Sequence, residues 1–491
     1  MAIGFDTDPA GCDGVLARLA ALGFSEEAVC GRLGLDDLND LQMRAAAIYR
    51  ADRLQPRDPL ASAIDLFVLQ GVLPADELDQ LFDPAQQQAL VACGLLGRQE
   101  GGGGAARVLA SLYPVGLELI FSDHASHELD PHALGRDPHD RVMYVGTDSR
   151  WLARVTFRKR VGTVLDLCCG SGIHALLAAA HARQVTAVDI NPRAVQCTTF
   201  NARLRGLTNV EALQGDLYAP VGDRPFDLIT ANPPFVPAPE QKVGFRDGGP
   251  SGEEVQRRII EGLPGHLAKG GAAQIVTEFG ESDAEPLERR VRRWLGDAAI
   301  DIHVLRLRTH SAQVYAVGHA DGDDPAAFLR SVGDWAANLR AHGYTRVVSV
   351  LLTFQWSEAS PWSRVDQARP PTKAAGIELE AIFAAERLAR DGTLRARLRA
   401  GRVVRTGPVA IFESRALGTD VPPSIQARLF GQALSVEHAL TPLELDVLTH
   451  LDQPLPTETI LAVAAKVDLT EDVVLNALVA LVGKGLARLA A

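Results

Sequence analysis

Apolar positions change their spacing along this chain, and each change marks an element. From about Gly11 to Gln99 they recur at helical spacing, as in Val15-LARLAAL and Leu60-ASAIDLFVLQ, with breaks at Gly34 and Pro74. The tetraglycine Gly101–Gly104 closes that stretch, and with Leu95 and Val108 on either side it reads as a hairpin tip rather than a hinge. Irregular strands rich in His and Asp are expected from about Val108 to Asp148. Between about Thr163 and Gly280 short β-branched runs (VLDL at Val164, VTAVDI at Val185, FDLITA at Phe226, AQIVTE at Ala273) alternate with helical runs, which predicts a parallel sheet wound with crossover helices. Further strands at Ile302-HVLRL and Arg346-VVSVLLTF either extend that sheet or build a separate small α/β unit. The tail from about Thr441 to Ala491 reads as three short helices and a Gly-marked turn, similar to a winged helix.

Composition narrows the class without naming a chemistry. With 491 residues, 47% apolar and 22% charged, the chain has room for two to four compact units, each with its own core. It contains no apolar run of about eighteen residues, so no membrane partner is expected. Met1–Gly14 carries Asp6, Asp8 and Asp13 and no basic region before an apolar core, so no secretory signal is expected and the default location is the cytoplasm. The cysteines Cys12, Cys30, Cys93, Cys168, Cys169 and Cys197 form no CxxC pair, which argues against a disulfide framework or a zinc site. His124, His127, His132 and His139 share a polar segment at no standard ligand spacing, so no metal is expected. A formal charge of −12 opposes non-specific attraction to a polyanion.

The candidate chemistry lies at strand ends. Asp166-Leu-Cys168-Cys-Gly170-Ser171-Gly172 stands where a strand turns into a helix, so glycines admit a ligand close to backbone and to unpaired N–H groups. We read this turn as cradling the methionine end and sugar of a methyl donor, with Asp166 anchoring an ammonium directly or through water. Asp189, followed by Ile190-Asn-Pro, ends the next strand about 20 residues on, where a carboxylate accepts from both ribose hydroxyls. Asp216-Leu217 ends the one after, placed to accept from an adenine amino group. Taken singly, each has a bland alternative: a glycine turn for packing, or Asp189 as part of a helix cap.

Asn232-Pro233-Pro234-Phe235, directly after the strand Phe226–Ala231, is the most specific motif. Its bland alternative is a proline loop that stops a strand. An amide or aromatic amino nitrogen is a weak nucleophile because its lone pair is delocalised. The Asn232 side-chain oxygen and the Pro233 carbonyl can each accept one of its N–H bonds and aim that lone pair at a sulfonium methyl. Pro233 and Pro234 restrict the backbone that holds the carbonyl, and Phe235 can stack on the planar acceptor. Asp148-Ser149-Arg150, just before the first strand, is placed to close over the donor.

These residues resemble the class I S-adenosylmethionine-dependent methyltransferases, and within them the Asn-Pro-Pro-Tyr/Phe group that methylates planar nitrogens. The continuation Phe245-RDGGPSGEEVQRRIIE, then Leu267-AKGG and Glu278-FG, is most similar to protein-(glutamine-N5) methyltransferases acting on release factors. The resemblance covers about residues 145 to 280. It implies S-adenosyl-L-methionine as cofactor, bound by Asp166, Cys168, Gly170, Ser171, Gly172, Asp189, Ile190, Asp216 and Leu217, with Asn232 to Phe235 as catalytic residues. Cys168 departs from the family's usual glycine, and the C-terminal extension has no counterpart in the compact glutamine enzymes.

The expected fold is therefore α/β: a Rossmann-like methyltransferase sheet over 151–320, a helical N-terminal domain over 1–105, a strand and loop connector over 106–150, an α/β extension over 321–435 and a winged-helix-like tail over 436–491. The favoured acceptor is a protein or peptide glutamine side chain. The same motif also serves amino groups of rRNA, tRNA or DNA bases, and a small-molecule acceptor stays open. A non-enzymatic scaffold has no use for an intact acceptor motif. The densest basic run, Arg395, Arg397, Arg399, Arg402 and Arg405, reads either as a phosphate grip or as a solvated face offset by nearby acids. The tail's third helix has no basic residue before Lys484, which argues against groove reading.

Overall fold

The structure, a computed structural model, describes residues 5, 8–9, 11–98, 104–124, 141–282, 284–357, 360–414, 423–429 and 432–490. The chain divides into two compact units, one of Met1–Ala153, Lys159–Val304 and Thr309–Arg364, the other of Arg154–Arg158, Leu305–Arg308 and Val365–Ala491.

The first unit is built on seven strands: β1 (Val161–Leu167), β2 (Ala182–Asp189), β3 (Val210–Gln214), β4 (Phe226–Ala231), β5 (Leu267–Glu281), β6 (Ile300–Ser311) and β7 (Arg346–Trp356). They lie in the order β3-β2-β1-β4-β5-β7-β6. The strands from β3 to β5 are parallel, and β7 runs antiparallel to β5. The run at Arg346 thus extends the sheet. Its near-continuous apolar character fits a strand buried on both faces. Helices α1 (Ile173–Ala178), α2 (Pro192–Leu204), α3 (Glu254–His266) and α4 (Leu287–Leu295) follow β1, β2, β4 and β5. Leu165, Ile229, Ile275 and Phe279 share a core with Ile259, Leu263 and Val291 of α3 and α4.

The N-terminal helices belong to this same unit. Gly34 ends the helix Glu26–Leu33 at φ 72°, and Pro74 precedes the helix Ala75–Leu81. Their apolar faces converge on α2: Phe67 meets Phe121 and Phe121 meets Phe200, edge to face at 6.3 and 6.1 Å. Each such ring pair contributes about 0.5–1.5 kcal/mol beyond area burial. The strands Leu96–Arg98 and Ala106–Val108 pair antiparallel, as a hairpin tip requires, while Gly101–Gly103 lie outside the described residues. In the connector, a hairpin pairs Ser111–Val115 with Glu118–Ser122. The irregular strands expected up to Asp148 end earlier, because a helix spans Thr147–Val155.

Asn201 fastens the hairpin to the glycine turn. Fully buried in α2, it accepts from Phe121 N and donates to the carbonyls of Phe121 and Ser171, at 2.8–3.0 Å.

The second unit carries three helices where the tail predicts them, Pro442–Thr449, Thr457–Ala464 and Glu471–Gly483. The first opens with a Thr441–Glu444 capping box. Their small sheet needs a strand from upstream, Arg402–Arg405, which pairs with Leu455–Pro456 and Ala487–Leu489. The third helix buries Val474, Leu478 and Leu481 against Leu394, Leu398 and Val403. No helix of the described residues is long and apolar enough to cross a membrane.

Candidate functional site

Parallel register brings the motifs to one edge. Leu167 stands beside Val188 and Ala231, and Asp189 beside Gln214, so the next residues of four strands (Cys168, Ile190, Gly215-Asp216 and Asn232) emerge together. The sheet's order reverses between β1 and β4, where a crevice opens outside the strand ends. A cavity of 280 Å³ occupies it, and Cys168, Gly170, Ser171, Asp189, Ile190, Asp216, Leu217, Asn232 and Pro234 all line it.

The glycine turn has the backbone its composition calls for. Cys168, Gly170 and Gly172 adopt φ of 55°, 54° and 81°. At Cys168 a side chain occupies left-handed backbone, which costs about 1–2 kcal/mol and accounts for glycine being usual there. A Cβ on Gly172 would come within 2.8 Å of the Thr198 side chain, whereas one on Gly170 would meet nothing within 4 Å. Gly172 serves packing, and Gly170 leaves the cavity open to its backbone.

Asp189 crosses the turn, accepting from Gly170 N and Asn191 N, each at 2.9 Å. Burial raises its carboxyl above the ordinary range, against the pull of those N–H groups. Asn191 in turn caps α2 through Arg193 N. Ile190, 68% exposed, offers an apolar platform beside this carboxylate. At Asp216 the carboxylate meets Arg258 at 2.7 Å. Asp166 is placed differently: it is fully buried behind the turn and absent from the cavity wall, accepting from Thr230 Oγ1 at 2.8 Å and Ala175 N at 3.1 Å.

In the Asn232–Phe235 segment, Asn232 Nδ2 donates to Asp148 Oδ2 at 3.1 Å and Ser149 Oγ at 3.0 Å. Its Oδ1 is buried without a hydrogen-bond partner among the described residues. Pro233 and Phe235 are not on the cavity wall; Phe235 packs, partly buried, against the cluster holding Tyr315 and Trp335. The glycine-rich loop that follows lies against this segment. A Cβ on Gly252 would sit 2.5 Å from the Phe235 carbonyl, and one on Gly248 2.8 Å from Phe235 Cα. Asp247, fully buried, accepts from the backbone of Lys242 and Val243 at 2.8 Å and holds the loop closed.

Residues 145–294 match the methyltransferase small domain family. The ribosomal protein uL3 glutamine methyltransferase of Bradyrhizobium diazoefficiens is 37% identical over 179 residues, 33% of this chain and 52% of that protein. A candidate protein N5-glutamine methyltransferase of Methanocaldococcus jannaschii is 32% identical over 158 residues, 31% of this chain and 79% of that protein. The chain belongs to the class I S-adenosylmethionine-dependent methyltransferases. The release factor glutamine methyltransferase of Thermodesulfovibrio yellowstonii is 33% identical over 138 residues, 26% of this chain and 49% of its own. This methyltransferase chain thus spans about half the length of two of these three relatives.

The methyltransferase cavity suits the donor its family uses. An acceptor pair for a diol (Asp189), an apolar platform (Ile190) and a backbone bare of Cβ (Gly170) line one wall, with Asn232 on the same cavity. The motifs did not mark Met143, Tyr144 or Arg258, which also line it. Met143 and Tyr144 precede the first strand in sequence and enter the wall only through folding; Arg258 could have been suspected from the Arg-bearing helix after the glycine loop. Among the described residues, no group of three or more His, Cys, Asp or Glu side chains is arranged to hold a metal. His124 Nδ1 bonds Ser111 Oγ at 2.8 Å, and His127, His132 and His139 lie outside the described residues. Three of the five arginines of the basic run are paired: Arg395 meets Asp472, Arg399 meets Glu471 and Arg405 meets Asp452.

Proposed function

We propose that this chain transfers a methyl group from S-adenosylmethionine to the side-chain nitrogen of a protein glutamine, in the cytoplasm. The observation that carries the reading is the Asn232 amide: its nitrogen is occupied and its buried oxygen has no partner among the described residues, on the wall of the cavity. A buried acceptor left unmade costs about 1–3 kcal/mol, which a substrate N–H relieves. The relatives named as glutamine methyltransferases support an amide as that substrate. Three of the five arginines of the Arg395–Arg405 run are paired with carboxylates, which weakens its claim to be a basic track for the alternative, a nucleic-acid base.

In this reading Asp189 and the Gly170 backbone hold the donor's ribose, and Ile190 and Leu217 flank its base. Bound there, the donor supplies an electrophilic sulfonium methyl. Asn232 Oδ1 accepts an N–H bond of the acceptor amide and turns its lone pair toward that methyl. Pro233 and Pro234 restrict the backbone beside it. The new N–C bond forms as the C–S bond breaks, and the alkylated nitrogen, now acidic, gives its proton to water.

The test is transfer of labelled methyl from S-adenosylmethionine into a lysate of the source cell, divided by RNase and protease treatment. Label that resists RNase and is lost to protease, and that Asn232→Ala abolishes while donor binding persists, is the expected result. Label lost to RNase identifies a base as the acceptor, and a fully active Asn232→Ala enzyme removes the mechanism.

A further inference from the structure

Asn232 is gripped from outside its own loop. Of the three acceptors of its Nδ2, Asp148 and Ser149 stand in the first turn of the helix Thr147–Val155, more than eighty residues upstream, and Met143 Sδ lies at 4.0 Å. Ser149 is buried and Asp148 partly so. A side-chain amide has nearly the same shape in its two orientations, so what each end meets decides which is populated. An ionised carboxylate only accepts hydrogen bonds. Turning the amide over would set Asn232 Oδ1 against the Asp148 carboxylate and leave Nδ2 where Oδ1 now lies.

We propose that Asp148, assisted by Ser149, is a positioning residue that locks the Asn232 amide with its oxygen toward the acceptor nitrogen. The inference rests on the reading of Asn232 as the acceptor-site residue. It assigns a purpose to a helix that precedes the sheet and holds none of the family's strand-end motifs. Asp148 need not touch donor or acceptor: it acts by excluding the amide orientation that would present N–H to N–H. What matters is an acceptor oxygen at that place rather than a negative charge.

Two substitutions in the full chain separate these ideas. Asp148→Asn keeps an oxygen that accepts from Asn232 Nδ2, and Asp148→Leu fills the space without one. Labelled S-adenosylmethionine and the protease-sensitive lysate fraction are the probes, with donor affinity measured by calorimetry. Expected is a transfer rate about 10–100-fold lower in Asp148→Leu, since small misplacements of a positioned group cost up to about 100-fold, with donor affinity within about twofold of the parent. Asp148→Asn, whose oxygen can still accept from Asn232 Nδ2 but whose NH2 can also meet a turned-over amide, should recover only part of the rate. Asp148→Ala replaces the leucine variant if that one fails to bind donor. A second measurement is independent of turnover: the side-chain amide resonances of Asn232, assigned by their loss in Asn232→Ala, should move in Asp148→Leu and move less in Asp148→Asn. Unmoved resonances in the leucine variant, an unchanged rate there, or an asparagine variant as slow as the leucine one overturns the proposal. An active Asn232→Ala enzyme overturns instead the reading on which it rests.

Discussion

Asp189 Oδ2 accepts the backbone N–H of Gly170 at 2.9 Å, so the carboxylate at the end of β2 is tied across the glycine turn at the end of β1. The bond makes the two donor-site motifs one object. Asp189→Ala leaves the N–H groups of Gly170 and Asn191 without that acceptor and removes the proposed ribose partner. A charged hydrogen bond contributes about 1.5–3 kcal/mol, so affinity for S-adenosylmethionine should fall roughly 10–100-fold. Calorimetry checks this, and an unchanged affinity takes Asp189 out of the donor site.

Gly252 holds the acceptor side in the same way. Its φ is 75°, and an added Cβ would collide with the Phe235 carbonyl at 2.5 Å and Pro237 N at 2.9 Å. Because the obstacle is backbone, the loop must move. Gly252→Ala should lower the methyl-transfer rate about tenfold or more, as displacement of positioned groups does, while donor affinity stays close to that of the parent. Equal loss of both would mean that the loop supports the whole cavity.

Burial pushes the Asp166 carboxyl up to about 7, although Thr230 and the Ala175 N–H favour its ionised form. In the unfolded chain it returns to about 3.8. Between those values the folded state holds a proton that the unfolded state has lost, so this group's contribution to stability falls as pH rises from about 4 to about 7 and stays low above. Asp166→Asn removes that dependence. The melting temperature of the variant relative to the parent, both without donor, should therefore be higher at pH 8 than at pH 5; a difference that does not change with pH contradicts the assignment.

Arg395 and Arg399 are held by Asp472 and Glu471 of the helix Glu471–Gly483, on exposed surface. Such pairs contribute little. Replacing both arginines with alanine should leave methyl transfer and any retention on RNA unchanged, and lower the melting temperature only slightly. Loss of transfer on this double substitution would restore the run as a substrate-contact surface.

Much of the candidate donor site was legible because the cavity-lining residues its motifs named sit at local landmarks. Strand, glycine turn and helix are encoded within a few residues, and parallel pairing then aligns successive strand ends without further instruction. Phe235 shows the limit: its neighbours Tyr315 and Trp335 are eighty to a hundred residues away, and nothing near the motif indicates that the ring packs into their cluster. The strand at Arg346 is similar, since an apolar run long enough for any sheet does not say which one. The small sheet of the tail needed Arg402–Arg405, which lies outside the segment whose helical periodicity marked the tail.

By itself the sequence determined the chemistry available: a glycine turn, acidic strand ends and an Asn-Pro-Pro-Phe segment in an order that implies a methyl donor beside a planar nitrogen. These follow from short-range backbone preference and side-chain type. Only tertiary structure decided which way each group faces. It turned Asp166 into the interior, put Asp189 on the cavity, drew the N-terminal helices onto α2, and brought Asp148 and Ser149 to the Asn232 amide. Those outcomes depend on packing between distant segments, where burial and the need to satisfy buried polar groups choose among contacts that local sequence leaves equivalent.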